Sequence, residues 1–179
     1  IIWSALGASA FTAFAGSLRI SLTYVDLLES KPFNSHSLRA VTRLLPNAIG
    51  LPLWLVLSAI VLWFTVRAWK SDAPVRVRLG VVMLAALLVN PHVIIYDVTL
   101  LALPLLWFGA YMLEPPRRDD ASAFGMLVYW LFAALLIPTA RVIGIQASVP
   151  LMMVLLVWMS RLAIKTAPKA ATVGIGLPQ

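Results

Sequence analysis

Residues 79–113 read LGVVMLAALLVNPHVIIYDVTLLALPLLWFGAYML, two long apolar runs on either side of a short polar stretch. The polar stretch, residues 90–97, places a proline, an imidazole, a phenol and a carboxylate within eight positions. Pro91 has no N–H and clashes with the preceding turn, so the sequence predicts that a helix bends or ends here. Ionisable groups beside apolar runs are expensive to bury, which makes this stretch the first candidate for function.

The composition predicts an integral membrane protein that is almost entirely helical. Of the 179 residues, 61% are hydrophobic and 12% are charged, whereas a soluble domain carries about 25% charged residues. The mean hydropathy of +0.93 points the same way. A net charge of +7 would suggest nucleic acid in a soluble protein. In a membrane protein, basic loops set the orientation instead, so we expect membrane lipids and no nucleic acid as partners.

The counts of cysteine and histidine argue against a metal centre. The chain has no cysteine, and its two histidines are His36 and His92. Disulfides and cysteine-rich metal sites are therefore excluded, and a site built from several histidines is not expected. We expect neither a metal nor a cofactor.

The apolar runs predict an all-α, polytopic bundle of about six membrane helices plus one interfacial helix. We expect spans near residues 1–18, 48–66, 79–96, 97–113, 124–140 and 145–163, an outer interfacial segment at 19–47 and a mobile tail at 164–179. Crossing a bilayer of roughly 30 Å takes about 20 residues, but the run before Asn90 rises only about 16 Å. The third span either continues past Pro91 as a bent helix or ends early in a water-filled cavity.

The start of the chain and its basic residues set the expected topology. The chain opens inside an apolar run without a basic leader, so we expect the C-terminal part of a longer membrane protein. If the loop at 67–78 is cytoplasmic, nine Lys and Arg residues fall inside and five outside. Residues 90–97, the segment at 19–47 and Arg141 then share the extracytoplasmic side of the plasma membrane, and the C-terminus is cytoplasmic.

The long polar segment predicts a short amphipathic helix across residues 35–45, capped by Ser35 or Ser37. Arg39 and Arg43, four residues apart, are expected to project together from it. Its apolar face is formed by Leu38, Val41, Leu44 and Leu45. Two interpretations stand: an anchor at the lipid surface, or a lid that holds a phosphate or a lipid head group.

The polar residues of the stretch at 90–97 each have a structural and a functional interpretation. Asp97 is either a partner of the next helix's dipole or a site residue. Tyr96 is either an interfacial aromatic residue or a site residue. His92 has no packing role that leucine would not fill better, so it is the first candidate for catalysis or head-group contact. Asn90 and Arg141 lie on the same predicted side.

The stretch also resembles a known family. NPH at 90–92 and YDVTLLALP at 96–104 resemble the Pro-His…Tyr-Asp-x-x-Leu-Leu signature of glycosyltransferase family 87. Upstream, YVD at 24–26, FNSHSL at 33–38 and RLL at 43–45 look like the family's segment before its later helices, so the resemblance covers roughly residues 5–113. These enzymes have the GT-C membrane fold and use polyprenyl-phosphate sugars.

The resemblance implies transfer of a hexose, with mannose expected, from a polyprenyl-phosphate donor to a glycolipid or glycan acceptor at the extracytoplasmic face. Such transfer needs a base for the acceptor hydroxyl and charge stabilisation for the departing phosphate. The family's catalytic aspartate would lie upstream, so we expect this part alone to be inactive. The implied catalytic residues are His92 and Asp97. The implied substrate-binding residues are Asn90, Tyr96, Arg141, Arg39 and Arg43. Among them, Tyr96 and Asp97 would orient His92 or bind sugar hydroxyls, and the lipid tail would follow the groove beside the third span.

The alternative is a membrane transporter or a non-enzymatic membrane subunit in which His92, Tyr96 and Asp97 form a relay. A transporter is expected to carry polar residues at mid-membrane depth in several spans. The centres of the second, fourth and sixth predicted spans are nearly pure Leu, Val, Met and Ala, which favours the transferase.

Overall fold

The computed structural model of the chain describes residues 2–23, 35–94, 96–115, 117–137, 139 and 145–165. The α-helices in these ranges are α1 (Ile2–Thr23), α2 (Leu38–Thr42), α3 (Asn47–Trp69), α4 (Val75–Val89), α5 (Ala102–Met112), α6 (Ala121–Leu136) and α7 (Ser148–Lys165). Two 3-10 helices, Asp97–Leu101 and Arg117–Asp120, lead directly into α5 and α6. The predicted all-α class is confirmed for these ranges, in which the one β pairing is an isolated bridge.

Helix α4 lies at the centre of the packing and contacts α3, α5 and α7. Its buried residues recur every three or four positions, the spacing of one helical face. They are Val77, Gly80, Val81, Leu84, Ala85, Leu87 and Leu88. A Cβ on Gly80 would lie 2.6 Å from the ring of Phe108 in α5, so glycine is what lets these two helices approach closely.

Helix α3 turns small and polar residues inward and large apolar residues outward. Its buried residues are Gly50, Ser58, Val61, Thr65 and Ala68. Leu55, Leu62 and Trp63 are half exposed or more. This is the reverse of a helix on a water-soluble protein, which buries its large apolar side chains. It is typical of a helix that packs its small face on neighbouring helices and turns its apolar face to lipid.

Three helical segments in the described ranges are long and apolar enough to cross a membrane: Asn47–Trp69, Arg117–Leu136 and Ser148–Lys165. They correspond in position to the second, fifth and sixth predicted spans. The segment Asp97–Met112, at the predicted fourth span, is apolar but shorter. The described residues therefore show three candidate membrane spans, and the predicted six-span bundle is not confirmed.

The third predicted span, at 79–96, differs from the structure at both ends. Helix α4 begins at Val75 and ends at Val89, and Asn90 already has an extended backbone with φ −61° and ψ 123°. Proline disfavours helical geometry in the residue before it, so Pro91 ends this helix and does not bend it. Fifteen residues rise only about 22 Å. Of the two alternatives for this span, the early end is the one observed.

Two other predicted boundaries also move. Helix α1 continues to Thr23, beyond the predicted end at residue 18 and into the segment assigned to the interface. Helix α7 continues to Lys165, past the predicted start of the tail at 164. The rest of the predicted tail lies outside the described residues.

Candidate functional site

Residues 90–94 and 96–97 belong to a turn that its own side chains hold in shape. Oδ1 of Asn90 accepts the backbone N–H of His92 at 3.0 Å, an Asx-type turn. Oδ2 of Asp97 accepts the N–H of Ile94 at 3.0 Å, and the N–H of Asp97 donates to the carbonyl of Ile94 at 3.0 Å. Asp97 also opens a 3-10 helix, where a carboxylate is favoured. Asp97 thus serves the structural role that the sequence had left open, and Asn90 also holds the turn in shape.

The turn is docked on the residues just before α2. Ser35 and Ile94 form the antiparallel bridge, and the N–H of His36 donates to the carbonyl of Val93 at 2.9 Å. The hydroxyl of Ser37 donates to the carbonyl of Pro91 at 3.4 Å. These bonds satisfy backbone groups that the irregular chain beyond α4 leaves without helical partners.

His36 is buried beneath this junction, with 1% of its surface exposed. Its Nδ1 lies 2.8 Å from Oγ of Ser148 and 3.0 Å from Nε2 of Gln146. Thr139 donates to Oε1 of Gln146 at 3.3 Å, which orients the amide so that its nitrogen faces the ring. A donor amide beside Nδ1 suits a neutral imidazole. Burial lowers the pKa of His36 to about 4, so the ring is neutral at physiological pH.

We call the polar junction the region made of residues 35–39, 90–94, 96–97 and 146–148. It joins the start of α2 to the chain after α4 through backbone bonds and Ser37, and to the start of α7 through His36, which lies more than one hundred positions from its partners Gln146 and Ser148. Sequence reasoning did not include His36, Gln146 or Ser148 among the site residues. Each of these three residues is a polar residue next to an apolar run, which can be seen in the sequence. Nothing in the sequence indicates that they contact one another.

His92 lies within the polar junction and is partly buried. Its Nε2 is enclosed by protein and has no hydrogen-bond partner among the described residues. Tyr96 is 78% exposed, and the carboxylate of Asp97 is used by the N–H of Ile94. Among the described residues, no hydrogen bond joins Tyr96 or Asp97 to His92, and their expected role beside it stays a prediction.

Arg39 is a buried cation, with 6% of its surface exposed. Its Nη2 donates to Oδ1 of Asn47 at 3.3 Å. Its Nε and Nη1 are enclosed and have no hydrogen-bond partner in the described ranges. The ion pair found in those ranges, Arg76 with Glu114, involves neither Arg39 nor its neighbours.

The amphipathic helix predicted across residues 35–45 is therefore corrected in length and in the placement of Arg39, while Leu38 is buried and Val41 packs against the core, as their apolar character predicts. Helix α2 has five residues and buries Arg39, while Leu44 and Leu45 from the predicted apolar face are exposed. Arg43, predicted to project beside Arg39, is the C-cap residue and is partly exposed. Ser37 is the N-cap residue, but its hydroxyl bonds to the turn and not to the helix.

The burial of Arg39 follows from the close approach of α2 to α3. A Cβ on Gly50 would lie 2.3 Å from the carbonyl oxygen of Thr42. Because Gly50 has no side chain, α2 lies directly on the first turns of α3. Arg39 then faces Asn47, the first residue of α3, and not the surface.

Arg141 and the YVD sequence at 24–26 lie outside the described residues. The expected role of Arg141 in substrate binding stays a prediction.

Two open grooves flank the turn. One, of about 180 Å³, has an apolar wall from α4 and a rim that includes Asn90 and Asp97. The other, of about 220 Å³, is almost entirely apolar and lies between the segment Asp97–Met112 and the end of α6. The first groove runs beside the third predicted span, where the lipid tail of a donor was expected.

The described residues contain no group of three or more His, Asp or Glu side chains placed to hold a metal ion. Comparison with family models, with curated proteins and with solved structures finds no match to this chain. The resemblance to glycosyltransferase family 87 therefore remains a prediction from its motif.

Proposed function

We propose that this chain is part of an integral membrane glycosyltransferase. It would move a hexose, with mannose the expected sugar, from a polyprenyl-phosphate donor to a glycolipid or glycan acceptor. The observation that carries the proposal is the polar junction at the end of apolar helices. There, Nε2 of His92 and two nitrogens of Arg39 are enclosed and lack partners among the described residues. Enclosed donors without partners are costly, and the oxygens of a lipid phosphate would satisfy them.

The reaction breaks the bond between the sugar's anomeric carbon and a phosphate oxygen and forms a bond to the acceptor's hydroxyl oxygen. The acceptor proton goes to a base, which the resemblance places upstream of this chain. The lipid phosphate departs with additional negative charge. His92 can donate a hydrogen bond from its ring to that phosphate, which stabilises the charge as it develops.

The membrane setting is supported by the three long apolar helices and by the apolar outward face of α3. We place the polar junction on the extracytoplasmic side of the plasma membrane and the C-terminus in the cytoplasm, because basic residues are more frequent at the opposite end of the helices. A cysteine placed at Ser71, between α3 and α4, should react in intact cells only with membrane-permeant thiol reagents. Labelling by an impermeant reagent would reverse the orientation.

The test of the function is sugar transfer from a polyprenyl-phosphate donor by the full-length protein in nanodiscs. His92→Ala should lower the rate by about 10²–10³-fold, the usual cost of losing one donor to a charge that develops in the transition state. Asp97→Asn should cost much less, because an amide oxygen still accepts the N–H of Ile94. Normal turnover by folded His92→Ala protein would exclude the catalytic role.

A further inference from the structure

We infer that His36 is a positioning residue for His92, because it ties the turn that carries His92 to the start of α7. The consequence for sugar transfer rests on the proposed function, whereas the placement of the turn rests on contacts among the described residues. In this role His36 does not touch a substrate, since 1% of its surface is exposed and its ring bonds to the start of α7.

The backbone on both sides of His92 is held by the chain before α2. The carbonyl of Val93, the residue after His92, accepts the N–H of His36 at 2.9 Å. The carbonyl of Pro91, the residue before His92, accepts the hydroxyl of Ser37 at 3.4 Å. Because a carbonyl is fixed on each side of His92, a shift of residues 36 and 37 moves His92 with them.

The other bonds of this turn shape it without placing it. Asn90 accepts the backbone N–H of His92 at 3.0 Å. Asp97 accepts the N–H of Ile94 at 3.0 Å. Both bonds join groups of the same turn, so they do not fix its position relative to α7. Nε2 of His92 has no hydrogen-bond partner in the part of the chain that the structure describes, so no bond from that nitrogen holds the ring in place.

The side chain of His36 supplies the connection to α7. Its Nδ1 lies 2.8 Å from Oγ of Ser148, the first residue of α7, and 3.0 Å from Nε2 of Gln146. The amide of Gln146 is itself oriented by Thr139, which donates to Oε1 at 3.3 Å. Ser148 and Gln146 are buried, so water does not compete for these bonds. The contacts therefore run from α7 to the ring of His36 and from its backbone N–H to Val93.

Under the proposed function, moving His92 should change the rate of transfer more than the binding of substrate. A hydrogen bond to charge that develops in the transition state acts mainly on kcat, and a displacement of about 1 Å can lower a rate by about 10²-fold. His36→Leu removes both side-chain contacts, whereas His36→Asn keeps an acceptor atom close to the position of Nδ1. We expect kcat to fall by about 10–100-fold in His36→Leu, with KM changed by less than about 3-fold, and to recover in part in His36→Asn.

The experiment measures two quantities on the full-length protein in nanodiscs. One is sugar transfer from a polyprenyl-phosphate donor, and the other is the rate at which diethyl pyrocarbonate labels the imidazole of His92, located by mass spectrometry. Nε2 of His92 is enclosed, so labelling of the wild type should be slow. Displacement of the turn should raise the labelling rate several-fold in His36→Leu and Ser148→Ala, and less in His36→Asn.

The matched control is Ser160→Ala, the same substitution as Ser148→Ala at another buried position of α7. The hydroxyl of Ser160 has no hydrogen-bond partner among the described residues. This variant should keep the kcat and the labelling rate of the wild type.

These measurements separate positioning from a purely structural role. If His36 only stabilised the fold, His36→Leu would lower the melting temperature, but the folded protein would keep the kcat and the labelling rate of the wild type. Either a normal kcat or a normal labelling rate in folded His36→Leu would overturn the inference. If the leucine variant does not fold, Ser148→Ala, which removes one of the two contacts, is judged by the same two measurements.

The labelling rate is measured without sugar transfer, so the two proposals can fail separately. Absence of transfer by the wild type, together with His36-dependent labelling of His92, would reject the proposed function and leave the tie between His36 and the turn standing. Normal transfer by the wild type, with His92 labelled alike in wild type and His36→Leu, would reject the inference and leave the proposed function standing.

Discussion

At the end formed by residues 67–78, 111–115 and 117–118, which we call the basic end, the arginines are exposed or partly exposed, and three of them lie over aromatic rings. The guanidinium of Arg67 lies 4.9 Å from the ring centroid of Trp63, that of Arg78 5.5 Å from Trp69, and that of Arg117 4.0 Å from Tyr111. At the polar junction, by contrast, Arg39 and His36 are enclosed by protein.

The two arrangements differ in how much hydration free energy the charged group loses. An exposed cation beside an aromatic ring keeps its hydration and gains a modest attraction, and it suits the level of the lipid head groups. A buried cation or imidazole loses its hydration and must be matched inside the protein. His36 is matched by Gln146 and Ser148, whereas Arg39 is matched only in part among the described residues.

Removing the close approach of α2 to α3 should have the largest effect on stability. Gly50→Ala puts a Cβ 2.3 Å from the carbonyl oxygen of Thr42, a backbone atom that moves only if α2 moves. We expect a loss of about 1–3 kcal/mol in the free energy of unfolding, measured by denaturation in detergent.

The matched control for this substitution is Gly125→Ala in α6, where a Cβ meets nothing within 4 Å. Alanine is favoured over glycine in an open helical position by up to about 1 kcal/mol, so this variant should be unchanged or more stable. Equal effects of the two substitutions would mean that α2 is not held against α3 as the structure shows.

The buried imidazole should make the polar junction sensitive to acid. An unfolded chain protonates His36 near pH 6.5, but the folded protein does so only near its lowered pKa of about 4. Protonation therefore favours unfolding, and the stability that a neutral His36 contributes is complete above pH 6.5 and is lost as the pH falls towards 4.

Comparison of wild type with His36→Gln isolates this contribution. Glutamine retains an acceptor but does not titrate. We therefore expect the free energy of unfolding of His36→Gln to be about 1 kcal/mol lower than that of wild type at pH 7. Between pH 6.5 and 4 the variant should lose less stability than wild type does. Denaturation curves at several pH values give the difference between the two proteins. If the difference in unfolding free energy between the two proteins is the same at every pH in this range, the pKa of His36 does not differ between the folded and unfolded states.

Local patterns in the sequence predicted the helices, and Pro91 predicted where α4 would be interrupted, because these features depend on neighbouring residues. The burial of Arg39 was not predictable in this way. On its own, the spacing of Leu38, Val41 and Leu45 indicates a helix with one apolar face and an exposed Arg39, and the burial of Arg39 depends on Gly50 in a different helix. The contact of His36 with Gln146 likewise joins two chain segments that only the tertiary structure brings together.

The ion pair between Arg76 and Glu114 should contribute least, although it joins α4 to the chain after α5. The two side chains are 41% and 42% exposed, so water screens their attraction and both keep much of their hydration. We expect a coupling free energy of about 1 kcal/mol or less from a double-mutant cycle with Arg76→Gln and Glu114→Gln, and a smaller value at 1 M salt. Arg118→Gln, at an exposed position nearby, provides the control for loss of one positive charge. A coupling well above 2 kcal/mol that salt does not reduce would mean that the basic end also holds its charges in a dry environment. The contrast with Arg39 would then be lost, because both ends would keep charge by burying it with a partner.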